Sequence, residues 1–202
     1  MEEKIIGGAL QLYLKYGIKS ITMDDVAKEL GISKKTIYKI VKDKDDLVQK
    51  ATEFFIAADK ANIEQVVNNF SEVIEQMVQI CNYSCTVLKN LNPSVIYDLK
   101  KYHTETWDFY LNYKNSFIYE IIYKNITKGI KLGFYRPDID VDIISKFYIG
   151  QIEVLIDDTI FPTPEYKFET ICREFLTYHM HGIATDKSIK LIDKCIQQLD
   201  KS

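Results

Sequence analysis

Residues 21–47 of the chain, ITMDDVAKELGISKKTIYKIVKDKDDL, contain the local signals that decide the fold. Thr22 is a favourable helix N-cap, and Asp25 stands three residues later, where its carboxylate can complete a capping box. Gly31 can adopt the left-handed conformation that ends a helix without steric cost. The first part of the stretch therefore predicts a short capped helix over Met23–Leu30.

The same arrangement follows immediately in the next residues. Ser33 is a second N-cap, and Ile32 before it can pack on Ile37 at the fourth helical position as a hydrophobic staple. The preceding segment, with apolar residues at helical spacing from Ile5 to Tyr16, predicts a further helix that ends at Gly17. Two capped short helices joined by a turn that contains glycine form a helix-turn-helix.

The second helix of this pair is expected to have two different faces. Its apolar residues, which should point inward, are Ile37, Ile40 and Val41. Its lysines at i, i+4 and i+7, which should point outward, are Lys35, Lys39 and Lys42, with Lys34 and Thr36 near the helix start. Recognition helices bring basic and hydroxyl side chains to base edges in the major groove. A lysine stripe alone is more often a solvated surface, but the caps, staples and glycine turn together favour DNA binding.

The distribution of charge agrees with this interpretation. Residues 1–50 contain ten lysines and eight acidic residues, a net charge of +2, whereas residues 51–202 contain sixteen basic and twenty-one acidic residues, a net charge of −5. A mildly basic N-terminal part on an acidic body suits a protein that contacts phosphate with one end only.

The rest of the chain also has helical periodicity. The four prolines fall at breaks between patterned stretches: Pro93, Pro137, Pro162 and Pro164. The predicted helices cover 63–88, a short segment after Pro93, 104–131, 139–160, 165–182 and a final amphipathic segment from Ile189 to Leu199. The fold class is therefore all-α, with an N-terminal three-helix helix-turn-helix domain over 1–46 and a larger helical ligand-binding and dimerisation domain over 47–202.

Other classes of protein receive little support. No apolar run approaches the roughly 18 residues of a membrane span, and the acidic N-terminus is unlike a signal peptide, so the protein is expected in the cytoplasm. Cys81 and Cys85 could form a metal or redox pair, but they also lie on the apolar stripe of their helix. His179 and His181 are two residues apart, which is poor spacing for a metal on a helix. No nucleophile with a nearby base is identified, so neither an enzyme, a metal nor a cofactor is expected.

Residues 3–50 resemble the DNA-binding domain of the tetracycline-repressor-like (TetR) family of regulators, through the run GIKSITMDDVAKELGISKKTIY at 17–38 and KDDL at 44–47. The resemblance implies that Thr22, Tyr38 and Lys44 hold phosphates and that Lys34, Lys35, Thr36 and Lys39 face the groove. The family usually has glycine or alanine where Lys35 stands and an aromatic residue where Val41 stands. The candidate DNA-binding residues are Thr22, Ser33, Lys34, Lys35, Thr36, Tyr38, Lys39 and Lys44.

The resemblance also implies a homodimer and a small-molecule effector. The run GFYRPDID at 133–140 is similar to the turn before the two helices that family members pair across a two-fold axis, here 139–160 and 165–182. Such a dimer reads a pseudo-palindromic operator with half-sites roughly 34–36 Å apart. Candidate effector-binding residues have polar groups on apolar segments, although each could equally be a core residue: Tyr83, Trp107, Tyr110, Tyr148 and Gln151. The sequence thus favours a ligand-released repressor. The alternatives are a helical small-molecule carrier and a protein-interaction module, and activation instead of repression stays open.

Overall fold

The computed structural model describes residues 1–162 and 165–199. Pro164, which was expected to mark a chain break, lies outside these residues, as does the C-terminal end of the predicted 47–202 domain. Over the described ranges the chain forms eleven α-helices and one π-helical turn. Their bounds are α1 Glu2–Tyr16, α2 Met23–Leu30, α3 Lys34–Ile37, α4 Lys44–Asn69, α5 Val73–Lys89, α6 Ser94–Tyr102, α7 Thr104–Tyr113, the π turn Lys114–Ile118, α8 Tyr119–Lys131, α9 Val141–Leu155, α10 Phe168–Ile183 and α11 Asp186–Leu199.

The all-α class is confirmed. Within the described residues, β pairing is limited to one isolated antiparallel bridge between Tyr135 and Ala184. In the same part of the chain, none of the helices combines the length and the apolar character needed to cross a bilayer.

The helices pack as two compact units, the first of which contains residues 1–61 and 90–113. Its core collects one buried stripe from each of the N-terminal helices together with residues of α4 and α6. Members of this core include Ile5, Ala9, Tyr13, Val26, Ile37, Leu47, Val48, Val95 and Leu99. Because α6 contributes to this core, a segment far along the chain supports the N-terminal helices.

The second unit contains residues 62–89 and the described part of 114–202. In it, α5 packs against α8, α10 and α11, and α8 packs against α9. A buried polar network crosses this packing: Asn125 Nδ2 donates to Val73 O and to Gln76 Oε1, both at 2.9 Å. Tyr135 lies so close to Gly129 that an added Cβ would come within 2.1 Å of its ring, which explains the glycine there.

The predicted single helix over 63–88 is wrong, because α4 ends at Asn69 and α5 begins at Val73. The apolar spacing continues in phase through the break, so the pattern does not reveal it. The buried Gln76 side chain donates to Val67 O at 3.0 Å and to Phe70 O at 2.9 Å. These bonds satisfy carbonyls at the end of α4 that would otherwise lack a partner.

Three other helices differ from the prediction at their ends or inside. The helix predicted over 139–160 ends at Leu155, and the one predicted over 165–182 begins at Phe168. The 104–131 segment is helical but contains the π turn, where the buried Lys114 forms an ion pair with Glu153 at 2.6 Å. A π turn accommodates one extra residue per turn, and the spacing of apolar residues does not signal it.

Candidate nucleic-acid interface

Helix α2 is held at both ends as the sequence predicts. The Thr22 hydroxyl accepts from the Asp25 backbone N–H at 3.2 Å, while Asp25 Oδ2 accepts from the Thr22 N–H at 2.8 Å, so the capping box is complete. At the other end, Gly31 has φ of 64° and ψ of 34°, the left-handed conformation of a helix C-cap. The carboxylate and the helix N-terminus attract each other, and the pKa of Asp25 is lowered by its hydrogen bonds from Thr22.

Helix α3 begins at a second cap. The Ser33 hydroxyl accepts from the Thr36 N–H at 3.1 Å and lies 2.9 Å from the Thr36 hydroxyl. Ile37 is fully buried and Val41 nearly so, which anchors the inner face of the segment in the first unit's core. Both predicted N-caps and the inward direction of these two apolar residues are confirmed.

The predicted stripe of three lysines on one continuous helix is wrong in its geometry. Helix α3 ends at Ile37, and the Ile40 N–H then donates to Ile37 O at 2.9 Å, which is a tighter turn than an α-helix. The backbone N–H of Lys42 donates instead to Asp46 Oδ2 at 2.9 Å. The start of α4 therefore takes Lys42 out of the helical register.

The start of α4 is capped, because Asp43 Oδ1 accepts from the Asp46 N–H at 2.9 Å. Lys44 follows at the first helical position and is half-buried, and burial lowers the pKa of its ammonium. Its Nζ lies 3.5 Å from Lys19 O. A phosphate at this helix N-terminus would meet both backbone N–H groups and this ammonium.

Apart from Lys44 at the start of α4, the candidate DNA-binding residues lie in α3 or next to the ends of α2 and α3. Lys34 is exposed and pairs with the exposed Asp24 at 3.0 Å, a solvent-screened bridge of small energetic value. Tyr38 stands at the end of α3 with about half of its surface exposed. The remaining candidate side chains are exposed or half-buried: Thr22, Ser33, Lys35, Thr36 and Lys39. Their roles toward DNA stay a prediction.

Sequence reasoning missed Asp98, which positions the turn before α2. This carboxylate of α6 is 4 % exposed and accepts from the Lys19 backbone N–H at 2.8 Å. Gly17 approaches the same place, because an added Cβ there would lie 2.2 Å from Ser94 Oγ. No local signal could have identified Asp98, because its partner is a backbone group 79 residues away.

The predicted effector residues lie in different surroundings. Trp107 and Tyr110 belong to the first unit, with ring centroids 5.6 Å apart, and Trp107 packs on that unit's core. In the second unit, the Tyr83 hydroxyl accepts from Asn62 Nδ2 at 3.2 Å. Tyr148 is fully buried beside His179, with ring centroids 5.2 Å apart.

Gln151, the fifth predicted residue, lines a mostly apolar groove beside α9 and α10. The groove has a volume of about 490 Å³ and is lined by aromatic residues that include Phe161, Tyr166 and Tyr178. Tyr148 is not part of its lining, so these two candidates of α9 face different surroundings. Whether any of the five contacts an effector stays a prediction.

Comparison with known proteins agrees with this site. Residues 5–51 match the family described as bacterial regulatory proteins, tetR family. The chain is 29 % identical over 170 residues to the uncharacterised HTH-type transcriptional regulator YvaF of Bacillus subtilis, covering 82 % of this chain and 83 % of that protein. It is 20 % identical over 142 residues to the HTH-type transcriptional repressor KstR2 of Mycobacterium tuberculosis, covering 69 % and 71 %.

The fold is shared with a solved transcriptional regulator from Saccharomonospora viridis, crystallised in complex with choline. The TM-score is 0.80 at 17 % identity, covering 91 % of this chain and 97 % of that one. At this identity the likeness shows the fold alone. Together with the regulator relatives, these findings lead to one conclusion: residues 5–51 form a helix-turn-helix domain of the tetR family, and the chain as a whole is similar to transcriptional regulators.

Proposed function

We propose that this regulator is a repressor that binds a pseudo-palindromic operator as a homodimer and is released from DNA by a small-molecule effector. The observation that carries the DNA-binding part is the outer surface of α3. It presents exposed lysines and hydroxyls while the buried Ile37 and the Ser33 side-chain cap hold its backbone. A rigid, capped recognition segment keeps its side chains in register with base edges.

Within this proposal the contacts divide into two classes. Lys34, Lys35, Thr36 and Lys39 face base edges in the major groove, where hydrogen bonds can discriminate between base pairs. Thr22, Tyr38 and Lys44 contact phosphates and fix the orientation of the module without reading sequence, and Ser33 contributes as the cap of α3. The proposed boundary between the DNA-binding domain and the ligand-binding domain lies between residues 46 and 47, although α4 continues through it to Asn69.

The homodimer is supported by an apolar stripe on α9. Ile143, Phe147 and Val154 are 49 %, 60 % and 40 % exposed, and they recur at helical spacing together with the exposed Gly150. No atom outside the helix lies within 4 Å of a Cβ added at Gly150. On α10, Tyr178 is 72 % exposed.

Apolar residues that share one face of a helix and lie in water mark an interaction surface. In a dimer with two-fold symmetry the stripe of one copy would pack on the same stripe of the other, so that a single interface buries both. The interface residues come from the predicted pair of helices, whose structural bounds are α9 and α10.

The effector part of the proposal rests on the helical domain and on its relatives. The solved regulator that shares this fold holds choline. In this chain the second unit contains a buried histidine, His179, whose Nε2 has no hydrogen-bond partner among the described residues. A buried polar atom without a partner is a place where a ligand can gain affinity. Of the five residues proposed from the sequence, Tyr83, Tyr148 and Gln151 belong to this unit, whereas Trp107 and Tyr110 belong to the first.

The test is fluorescence anisotropy with the purified protein and tiled duplexes from around its own gene, repeated over a salt series. We expect one pseudo-palindromic tile to bind far more tightly than the others, with affinity that falls as salt rises. Lys35→Ala and Lys39→Ala should remove this preference, whereas Lys194→Ala, an exposed lysine of α11, serves as a matched control. If every tile bound equally weakly, and neither Lys35→Ala nor Lys39→Ala changed that binding, the result would favour a carrier or an interaction module.

A further inference from the structure

Three of the four cysteines meet in one groove of the second unit. The groove runs along α5, α10 and α11, has a volume of about 370 Å³ and opens to solvent. Cys81 and Cys85 contribute from α5, and Cys172 contributes from α10. The fourth, Cys195, is buried and is not one of the groove's lining residues.

Two of these thiols line the groove from helices that pack on each other, Cys85 from α5 and Cys172 from α10. The neighbouring Cys172 thiol lowers the pKa of Cys85, and the pKa of Cys172 is raised in turn. Cys81 differs, because complete burial raises the pKa of its thiol to about 12.

These surroundings give the two thiols different roles. Cys85 is half-buried in an open groove, so an oxidant can reach it, whereas Cys172 is buried and lines the same groove. Reactive cysteines are those that combine thiolate character with access, and redox-active ones often have a second thiol next to them. Cys81 lies one turn from Cys85 on the same helix, where the two Cβ atoms project in similar directions and close poorly into a disulfide.

We propose that Cys85 and Cys172 are an oxidisable thiol pair that a hydroperoxide converts into a disulfide between α5 and α10. The Cys85 thiolate attacks one oxygen of the hydroperoxide, the O–O bond breaks, and a sulfenic acid and an alkoxide or hydroxide form. The leaving oxygen takes up a proton. Cys172 then attacks the Cys85 sulfur, the S–S bond forms, the S–O bond breaks, and water leaves with the Cys172 proton. The two thiols are oxidised by two electrons, and the hydroperoxide is reduced to alcohol and water.

The experiment uses the full chain, hydrogen peroxide and peptide mapping. The protein is oxidised, its remaining thiols are alkylated, and it is digested with trypsin without reductant. We expect a cross-linked species that joins peptide 61–89 to peptide 168–173, with fragmentation placing the bond on Cys85 rather than Cys81. Dithiothreitol should separate the two peptides.

A second measurement tests the roles without depending on the disulfide. Cys172→Ala should slow alkylation of Cys85 by iodoacetamide at pH 7 by about threefold or more, because the neighbouring thiol that lowers the pKa of Cys85 is gone. Cys195→Ala is the matched control and should change neither this rate nor the cross-link. Circular dichroism establishes that both variants are folded.

Three outcomes would overturn the proposal: a bond between Cys81 and Cys85, Cys85 oxidised to sulfinic acid without any cross-link, or Cys195 reacting before Cys85. The wild-type mapping decides the question even if Cys172→Ala does not fold. Because the readout is peptide mass, the result does not depend on whether the protein is a ligand-released repressor.

Discussion

The backbone N–H of Lys19 donates to Asp98 Oδ2 at 2.8 Å, which joins the turn before α2 to a helix 79 residues further along the chain. Asp98 is almost fully buried, so this carboxylate depends on the bond to compensate for its lost hydration. The same interaction holds the backbone from which the Thr22 cap begins. The position of the helix-turn-helix is thus supported by α6 within the first unit.

We therefore expect Asp98→Ala to destabilise the protein by about 2 kcal/mol, since a part-buried, charge-assisted hydrogen bond is lost and the Lys19 N–H loses its partner. Urea unfolding followed by circular dichroism measures the change. Asp98→Asn, which keeps an acceptor oxygen, should recover part of the loss. Asp108→Ala, at an exposed position of α7, is the control. A loss of similar size in that control would show that the effect is not specific to the bond.

The capping box of α2 gives a second prediction. Thr22→Ala should reduce the free energy of unfolding by about 1 kcal/mol, the usual cost of removing a side-chain N-cap. Thr22→Ser keeps the hydroxyl and should lie close to wild type in the same urea titration. If the serine and alanine variants were equally unstable, the hydroxyl would not be the stabilising group.

A third prediction concerns the α9 stripe. If the proposed dimer forms through this stripe, wild type should sediment as a dimer at micromolar concentration and Phe147→Glu as a monomer, because burying a carboxylate in an apolar interface is costly. Leu132→Glu changes a comparably exposed apolar residue at the end of α8 and should leave the assembly unchanged. A dimer that persists in Phe147→Glu would place the interface elsewhere.

The two classes of proposed DNA contact predict different phenotypes. Lys44→Gln should weaken binding to all duplexes by a similar factor and reduce the slope of log affinity against log salt by about 1, as expected for one lost phosphate contact. Lys35→Ala should instead reduce the preference for the operator over a duplex with one base pair changed. The salt series and the mismatch series can be measured by the same anisotropy assay. Identical phenotypes for both variants would contradict the division.

Burial of His179 predicts a pH dependence of stability. Burial lowers the pKa of His179 from 6.5 to about 4, so the unfolded chain takes up this proton first as the pH falls. Stability is therefore full above the unfolded value of 6.5 and declines between pH 6.5 and about 4, by roughly 3 kcal/mol in the limit.

Replacing the His179 imidazole should reduce the loss of stability that accompanies the fall in pH. His179→Gln should show a smaller loss of unfolding free energy than wild type between pH 7 and 4.5, measured by urea titration at each pH. His181→Gln, two residues away and half-exposed, is the control and should retain the wild-type pH dependence. If wild type and His179→Gln declined in parallel, His179 would not be the group responsible.

Local signals in the sequence determined the helix-turn-helix and the all-α class. A helix cap is an interaction between residues three apart, and a glycine C-cap depends on one residue's own conformational range. The box at Thr22, the turn at Gly31 and the cap at Ser33 could therefore be derived from residues 21–47 alone. The same holds for most helices, since their apolar spacing records which side is buried.

Only the tertiary structure decided the features whose partners lie far apart in the chain. The turn before α2 depends on Asp98, the buried Gln76 side chain on Asn125, and the thiol pair on Cys172. Periodicity indicates which face of a helix is buried, but it does not identify the residues on which that face packs. The long-range contacts exist only once the helices have packed.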